Sequence, residues 1–543
     1  MPTAETIKII RLLREVNDRN ILVWREDNEL KVKFRKDGQV DQRLIQELKT
    51  NKEPILNYFR NAEANKIVKA SLAKAIASPC QPLAKQADYE AMHQQKKEYL
   101  RYLISGRNTS HLRFAIRFKD LQQAVLERVL DTILQRHENL RTTLAIIDGR
   151  VRQVVHAYER DAYPIEYIDL RNRAMSEITD EVNKRLGDIS FDFETRPLVN
   201  IKVIRVPQDV NVLIFVMHHA ISDGGSIDVL KKEITLLYEA YGKDQSNPLL
   251  PLRLQYKDYT AWLNNLLDSP EGKEGRLQYE ERILDSLARD KVQYKVLHGQ
   301  GISYREELEK ELRAVPGSND SLVYQDAFGA IVTLSPATGA SYTMFIDERS
   351  ATRLKALSLA CNASLFVTFI AGFSILFSDE HGNKNIRVSI PFSTRVSKEF
   401  EQIVGWLTHN LIVCIDVDDE MHVEEFVPYV NNVVWESADF RFYPHEQIMG
   451  SLDLPLNALA PLYINLLRTG EHTIRDFRPY HSDKGSGVMD LKCIVNECRN
   501  GMSIQLHYNT GRYPKEKIEC LGRRYAAILD SMAAKDGRPL KKF

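Results

Sequence analysis

The stretch VNVLIFVMHHAISDGGS, residues 210–226, joins an apolar run to a pair of histidines and a pair of glycines. Residues 210–217 are almost wholly apolar, which predicts a strand buried on both faces. The polar part follows where that strand should end, and a rigid element can present side chains to a site there. The two glycines permit a tight turn and a close approach of backbone to a substrate. Ser226 is the expected cap of the helix that follows.

His218 and His219 are the candidate chemical groups of this stretch. A histidine can take a proton from an attacking amine near neutral pH. Adjacent side chains on a strand point to opposite faces, so one imidazole should face the site while the other packs behind it. That alternation also argues against a metal ion shared by both histidines and Asp223. The alternative is a purely structural histidine pair at a strand end.

A buried Asp223 would need a cationic partner, and Arg141 is the candidate. The pair would hold the loop that presents His219. The alternative is that Arg141 is a solvated residue at a helix end.

Composition excludes several classes of protein. The 543 residues suffice for roughly three or four domains. Lys plus Arg equals Asp plus Glu, 74 each, so no global charge favours nucleic acid or an anionic membrane. No apolar run approaches the roughly 18 residues of a membrane span, and the N-terminus lacks a signal-peptide core. The six scattered cysteines predict free thiols, with neither a metal site nor disulfides. We expect a cytoplasmic monomer.

The rest of the chain alternates between helical and strand patterns. The expected elements are a helix over 119–137, a strand after RHENLRTTL (136–144), strands at 342–346, 386–392, 491–495 and 502–509, and a helix over 514–532. Ser350 and Ser364 are plausible caps of two further helices. The alternation predicts an α/β fold of two related sandwich-like halves.

The first 60 residues form a pattern of their own. Apolar residues at helical spacing mark an amphipathic helix: Ile7, Ile10, Leu13 and Val16. ILVWREDNELKVKF, residues 21–34, predicts a β-hairpin with a polar turn at 26–28. Lys31 and Lys33 should lie on one face, with Val32 on the other. Two short helices should follow, then an Ala/Lys-rich linker.

Several sequence segments, in family order, carry a resemblance to a known family. HHAISDGG resembles the HHxxxDG signature shared by condensation domains of nonribosomal peptide synthetases and by chloramphenicol-acetyltransferase-like enzymes. RHENLRTTL is similar to the second motif of these condensation domains, and YKDYTAW (256–262) to their YxDYAxW motif. Thr394-Arg395, followed by Val404-Gly405, resembles the approach to the fifth motif, and residues 508–529 resemble the closing segment. Together they span about residues 90–535.

Some positions depart from the family pattern. The first motif, SxAQxRxW in the family, is MHQQKKEY (92–99) here. The fifth reads VGWLTHNL (404–411), where the family has a phenylalanine and an asparagine-threonine pair. Residues 265–335 do not follow the usual pattern.

The resemblance implies two acetyltransferase-like halves forming a V-shaped pseudodimer, with a tunnel between them. Donor and acceptor would enter on 4′-phosphopantetheine arms of partner carrier domains, and the chain itself would bind no cofactor. His219 would be the catalytic residue, with His218, Asp223 and Arg141 as supports. Gly224 would leave room for substrate and offer a backbone N–H near the reacting thioester carbonyl.

Residues 1–62 resemble the small α+β β-hairpin docking domain of tubulysin-type synthetases. There, a C-terminal peptide of the upstream subunit adds as a strand along the hairpin. Lys31, Val32 and Lys33 are the expected contacts, and the two lysines would suit an acidic tail. The alternative is that both are solvated lysines protecting an edge strand.

No adenylation, carrier or thioesterase motif is found in the sequence, and it closes where a condensation domain closes. The whole resembles the terminal subunit of rhabdopeptide-type synthetases, which would release a peptide by joining it to a small free amine. The expected organisation is a docking domain (1–62), a linker (63–88), an N-terminal half (89–264), an irregular connecting segment (265–335) and a C-terminal half (336–543).

Four rival functions share parts of this pattern. An ester-forming acyltransferase of the same superfamily would use the same loop chemistry on an alcohol. A non-catalytic condensation-like recruitment domain would tend to have a broken histidine motif, whereas this one is intact. An epimerisation domain normally follows a carrier on its own chain, and a heterocyclisation domain has an aspartate-rich motif that is missing here.

Overall fold

The fold is taken from a computed structural model of the 543-residue chain. It describes residues 12, 21–26, 29–34, 42–56, 70–105, 110–174, 177–178, 181–182, 185, 189–195, 197–289, 322–325, 331–334, 339–445, 447–448, 460, 462–467, 491–498, 500–510, 513–534 and 539–540. These residues divide into two compact units, one drawn from 1–79 and 266–301 and the other from 80–265 and 302–543.

The smaller unit contains the predicted hairpin. Strands β1 (Ile21–Glu26) and β2 (Glu29–Phe34) pair antiparallel, and α1 spans Gln42–Thr50. Alternation along β1 turns Ile21 and Val23 toward a small apolar core. The buried members of that core are Leu12, Ile21, Leu44, Leu48 and Ile55. The hairpin prediction is confirmed, whereas Ile7, Ile10, Leu13 and Val16 of the predicted first helix lie outside the described residues.

The first half of the larger unit is built on a four-stranded sheet. Its elements are β3 (Tyr89–Glu90), α2 (His93–Ser105), β4 (His111–Lys119), α3 (Gln123–Arg136), β5 (Thr142–Ile147), β6 (Arg150–Val155), β7 (Ile165–Asp169), β8 (Val199–Val206), β9 (Val210–His218), α4 (Gly224–Tyr241) and α5 (Tyr256–Asp268). The sheet order is β4-β9-β8-β7, and β3-β6-β5 form a second, smaller sheet. Because β9 lies inside the sheet, its apolar residues are buried on both faces, as predicted, in one core with those of α3 and α4.

The connecting segment is less irregular than the sequence suggested. Residues 270–289, within the expected irregular stretch 265–335, form the helix α6 (Pro270–Arg289), and its residues belong to the smaller unit. Two short strands follow, β10 (Leu322–Gln325) and β11 (Ile331–Leu334), and they pair with each other. The prediction of an irregular segment is therefore wrong for these elements.

The second half has a six-stranded sheet in the order β12-β17-β16-β15-β13-β14. Its elements are β12 (Gly339–Asp347), α7 (Glu348–Ala360), α8 (Leu365–His381), β13 (Asn385–Ser393), α9 (Lys398–Glu401), β14 (Thr408–Asp416), α10 (Val423–Ser437), β15 (Leu462–Leu467), β16 (Leu491–Cys498), β17 (Gly501–Asn509) and α11 (Lys515–Ala534). Helix α8 is buried along most of its length. A Cβ on Gly372 of α8 would lie 2.9 Å from Leu529 of α11, so the two helices pack closely.

Helix starts in this half test the predicted caps. Ser364 caps α8 by accepting a hydrogen bond from the backbone N–H of Val367, as predicted. Helix α7 is instead capped by Asp347, whose carboxylate accepts from the N–H of Ser350. The larger unit is thus an α/β structure of two halves, each with helices packed on a sheet, as expected.

The described helices are too short or too polar to span a membrane one at a time. No single helix among them is long and apolar enough to cross a bilayer. The pair α7 and α8 passes on length and composition only when joined across a 101° bend.

Candidate active site

The histidine loop follows β9 directly. Strand β9 ends at His218, residues 219–221 make one tight 3-10 turn, and α4 begins at Gly224. The backbone N–H of His219 donates to Ser110 O at 2.7 Å, which ties the loop to the residue before β4. A strand inside the sheet therefore delivers the histidines to a fixed place.

His218 packs behind the loop. Its side chain is 1% exposed and meets Phe193 edge to face at 4.6 Å between ring centroids. Its Nδ1 accepts a hydrogen bond from the N–H of Ala220, so that nitrogen is unprotonated. Burial, with His111 and His219 nearby, lowers the pKa of His218 well below its usual range. His218 is thus the neutral imidazole that packs behind the loop; the strand alternation predicted one such histidine without saying which.

His219 faces the other way and is half-buried. Its Nδ1 lies 2.8 Å from the carbonyl oxygen of Ser222. A carbonyl only accepts hydrogen bonds, so Nδ1 must carry a proton, and in the neutral ring it is Nε2 that presents the lone pair. The ring stacks on the indole of Trp406, with centroids 3.9 Å apart and 28° between planes. The two contacts therefore fix the ring by one edge and one face, with Nε2 as the free nitrogen of the neutral form.

The carbonyl groups of the loop are held by hydrogen bonds. Gln95 Nε2 donates to Ala220 O at 3.1 Å, and Asn139 Nδ2 donates to Ile221 O at 2.7 Å. Ser222 Oγ donates to His218 O at 3.0 Å. Gln95 and Asn139 were not among the predicted site residues, although each lies in a motif the sequence had singled out. Together these bonds make the loop a rigid support for the imidazole.

Asp223 is the most heavily hydrogen-bonded group of the site. It is 1% exposed and caps α4, accepting from the N–H and hydroxyl of Ser226 at 2.8 Å each. Arg395 binds both carboxylate oxygens at 2.7 Å. Leu407 N–H and Thr408 Oγ1 each donate to Oδ2 at 2.9 Å. One carboxylate of the first half thus fastens the segment from Arg395 to Thr408 in the second half.

The predicted pairing of Asp223 with Arg141 is wrong. Arg141 donates instead to backbone carbonyls: Leu134 O at 2.9 Å, Gln135 O at 3.3 Å and His156 O. Arg141 follows the end of α3, so its guanidinium satisfies the last carbonyl groups of that helix. The cation that pairs with Asp223 is Arg395, which lies 172 residues later in the sequence.

Ser226 also has a different role from the predicted one. The N-cap of α4 is Asp223, and Ser226 is the third helical residue, whose hydroxyl accepts back from the Asp223 N–H at 3.1 Å. Burial would raise the pKa of Asp223, but the Arg395 guanidinium and the Ser226 donors outweigh it and hold that pKa below its usual value. Asp223 is therefore charged at neutral pH, where it anchors the loop through these hydrogen bonds.

The glycines of the loop differ in what surrounds them. A Cβ on Gly225 would lie 2.7 Å from the guanidinium of Arg395, which the Asp223 pair fixes in place. A Cβ on Gly405 would overlap the ring of Tyr256. Gly224 is exposed, and a Cβ there would meet no atom within 4 Å. Gly224 thus borders open space, whereas Gly225 and Gly405 permit close packing.

Gly224→Ala and Gly225→Ala should therefore behave in opposite ways. Gly225→Ala is expected to destabilise the fold by about 1–3 kcal/mol, because the methyl group displaces Arg395. Gly224→Ala should leave the free energy of unfolding unchanged or slightly raised, because alanine lowers the entropy of the unfolded chain. Urea unfolding of both variants checks this. Equal destabilisation of the two would contradict the assigned surroundings.

The predicted docking residues lie on β2 of the smaller unit. Lys31 Nζ pairs with Glu29 Oε2 at 2.6 Å, two residues earlier on the same face. Lys33 is exposed on that face. Val32 is 39% exposed and lies opposite Val23, which packs on the small core. The two lysines and Val32 thus occupy opposite faces, as predicted.

Metal ligands and thiols take no part in the site as far as the structure describes it. Within the described residues, no group of three or more His, Cys, Asp or Glu side chains is placed to hold a metal ion. All six cysteines are free thiols, and Cys498 and Cys520 are the exposed ones.

Comparison with known proteins bears on the whole of the larger unit. A family model described as the condensation domain matches residues 85–315 and 335–543. Gramicidin S synthase 2 of Brevibacillus brevis is 25% identical over 464 residues, 83% of this chain and 9% of that protein. Tyrocidine synthase 2 of Brevibacillus parabrevis is 23% identical over 482 residues, 87% of this chain and 12% of that protein. The chain spans about a tenth of the length of the curated relatives it matches.

Two solved structures have the same fold. One concerns the molecular basis of condensation domain-mediated chain release from the enacyloxin polyketide synthase, with a TM-score of 0.66, 16% identity, and coverage of 99% of this chain and 98% of that one. The other is the first condensation domain of the calcium-dependent antibiotic synthetase with a substrate analogue, with a TM-score of 0.63, 14% identity, and coverage of 84% and 99%. They support the two acetyltransferase-like halves expected from the motifs. With the family model matching most of its length, the chain belongs to the condensation domain family, the acyltransferases that form amide bonds from carrier-bound substrates in nonribosomal peptide synthesis.

Proposed function

We propose that this chain joins a carrier-bound peptidyl thioester from an upstream subunit to a free amine and so releases the product as an amide. The observation that carries the proposal is the bond from His219 Nδ1 to Ser222 O, because it leaves Nε2 as the proton acceptor. Asp223, charged and fully bonded, and His218, buried and neutral, take no part in proton transfer.

The chemistry at Nε2 is a balanced acyl transfer. The neutral amine attacks the thioester carbonyl, a C–N bond forms, and the C–S bond breaks. His219 Nε2 takes the proton released by the nitrogen and returns it to the departing thiolate of the phosphopantetheine arm. A primary alkyl amine has a pKa of about 10.4 and is mostly protonated at neutral pH, so a nearby base helps to supply the reactive form.

Gly224 supports the same reaction in a different way. The first N–H groups of a helix have no partner within the helix, and Gly224 is the first residue of α4. The open space at Gly224 gives a thioester carbonyl room to approach that N–H, which would stabilise the developing oxyanion. Gly224→Ala should thus slow amide formation although it spares the fold.

The release role draws support from one solved neighbour. That structure concerns chain release mediated by a condensation domain. It covers 99% of this chain, whereas the synthetase condensation domain covers 84%.

The test is a reconstitution with defined substrates. The full chain is mixed with a carrier domain loaded with a short peptidyl thioester, together with a panel of amines and the matching alcohols, and products are identified by mass spectrometry. An amide with a free amine supports the proposal. Esters alone would instead indicate the ester-forming alternative, and the absence of any product with every acceptor would favour a recruitment domain.

Delivery of the donor is assigned to residues 1–62 as a docking domain. In the described part of the chain β1 and β2 pair only with each other, so each has an edge at which an added strand could bond. Lys33 is exposed, whereas Lys31 already pairs with Glu29. Lys33 should therefore attract an acidic tail more strongly than Lys31 does.

Lys33→Glu is expected to weaken binding of an acidic peptide by roughly fivefold or more at low salt, with a smaller effect in high salt. Fluorescence anisotropy with a labelled peptide carrying acidic residues at alternate positions measures this. Lys49→Glu makes the same charge change on the exposed face of α1 and is the matched control. Equal losses for both variants would mean that only net charge matters and would remove Lys33 from the docking site.

A further inference from the structure

Trp406 is the side chain that covers His219. Its indole lies on the imidazole with ring centroids 3.9 Å apart, close to a parallel stack. It belongs to the segment 404–411, in which this chain departs from the usual fifth motif. Both rings are half-buried, so the stack lies where a site opens to solvent and not in the packed core.

The backbone around Trp406 is fixed on both sides. Gly405 bonds to the Ser226 hydroxyl through its N–H at 3.0 Å and its carbonyl at 2.9 Å. Leu407 N–H donates to Asp223, and the Tyr256 hydroxyl donates to the carbonyl of Trp406 at 3.2 Å. The residues that hold Trp406 in place are thus the same ones that cap α4 at the end of the histidine loop.

The stack supplies what the Ser222 hydrogen bond cannot. A single bond from Nδ1 to Ser222 O fixes one edge of the imidazole, but the ring can still rotate about that bond. An aromatic face against the ring removes this freedom, so Nε2 points in one direction. The face of an indole also attracts a cation, and the imidazole becomes a cation once Nε2 has taken the proton.

We propose that Trp406 is a positioning residue for His219, which fixes the plane of the imidazole and stabilises its protonated form during amide formation. The inference rests on the proposed function of His219 as proton acceptor. In this proposal the Asp223–Arg395 pair contributes to catalysis as well as to stability, because the pair fastens the segment that carries Trp406.

Other groups near the stack can titrate or carry charge. These are His218 behind the loop, the pair of Asp223 and Arg395 beneath it, Asp228 and Lys231 on the next turn of α4, and the rings of His93 and His409, which meet at 5.1 Å. The pH dependence of the rate must therefore be measured for the Trp406 variants and for His219→Ala. The comparison shows which part of any change arises from His219.

Kinetics of Trp406→Leu and Trp406→Phe form the first test. Trp406→Leu is expected to lower kcat for amide formation by about 10- to 100-fold, because an imidazole free to tilt misplaces Nε2. KM for the loaded carrier should stay the same, and the rise of the rate with pH should begin at a lower pH than in the wild type. Trp406→Phe retains an aromatic face and should lose less than about threefold. Equal rates and profiles for the two variants would overturn the proposal.

Fluorescence gives a second test that needs no catalysis. Protonated imidazole in contact with indole quenches its emission, so the wild-type-minus-Trp406→Phe difference should fall as His219 is protonated. His219→Ala should abolish that pH dependence. Trp435→Phe is the matched control, because Trp435 is 59% exposed on α10 and its difference signal should not depend on His219. If the emission of Trp406 did not depend on His219, the proposed role of the stack would be wrong. If His219→Ala still formed amide at the wild-type rate, only the proposed function of His219 would be wrong.

Discussion

His219→Ala is expected to lower the rate of amide formation by about 100- to 10,000-fold, the range for loss of a positioned general base. The imidazole is half-buried, and within the described residues its hydrogen bond goes to its own loop through Nδ1, so its removal should leave the fold and carrier binding intact. Single-turnover rates with a loaded carrier, together with carrier affinity and the free energy of unfolding, separate these effects.

His156→Ala is the matched control for that experiment. His156 is exposed in the same half and bonds Thr143 at 2.7 Å, away from the histidine loop. It should keep the wild-type rate. A His219→Ala protein that forms amide at the wild-type rate would leave catalysis to substrate positioning alone.

Asp223→Ala is expected to destabilise the larger unit by about 3–5 kcal/mol, because it leaves Arg395 charged, buried and unpaired. Replacing both partners, as Asp223→Leu with Arg395→Met, should cost less than the sum of the single replacements. Urea unfolding at neutral pH measures Asp223→Ala, the two single replacements and the double variant. Arg141→Ala is the control, and it should be the milder change because Arg141 bonds only backbone carbonyls. A milder effect of Arg395→Ala than of Arg141→Ala would contradict the assigned pair.

The same pair gives a pH dependence with a definite sign. The pKa of Asp223 is lowered in the folded state relative to its ordinary value of 3.8. A depressed folded-state pKa stabilises the fold above the ordinary value, and the contribution is lost as pH falls toward the folded-state value. Wild type should therefore lose stability more steeply than Asp223→Asn as pH falls below about 4.

Local patterns in the sequence predicted what local interactions control. The run at 210–217 predicted a buried strand, which is found, and the alternation at its end predicted that one of the two imidazoles packs behind the loop, which His218 does. The cap at Ser364 was predicted for the same reason, since a cap involves only four successive residues.

Two serines were assigned the wrong position for one shared reason. At α4 and α7 an aspartate stands three residues before the serine, and in both helices the aspartate is the cap. Either residue type can cap a helix, and sequence alone does not say which one is at the helix start. At α4 this moved the helix start onto the glycines.

The long-range contacts of the site could not be read from the sequence. Arg395 reaches Asp223, and Trp406 reaches His219, only because the two halves meet there. Arg141 was chosen as the candidate partner of Asp223 because it lies in a motif. Nothing in the sequence shows that its guanidinium donates to backbone carbonyl groups of α3 instead. Helix α6 was missed because its charged residues resemble those of a loop.

The tautomer of His219 is the most direct measurement of the central claim. In protein with ¹⁵N-labelled histidine, the His219 signals are assigned by their loss in His219→Ala and recorded at a pH where the ring is neutral. Nδ1 should appear as the protonated nitrogen and Nε2 as the one with the free lone pair, because Ser222 O can only accept a hydrogen bond. A neutral ring with its proton on Nε2 would leave no base facing the amine and would contradict the account.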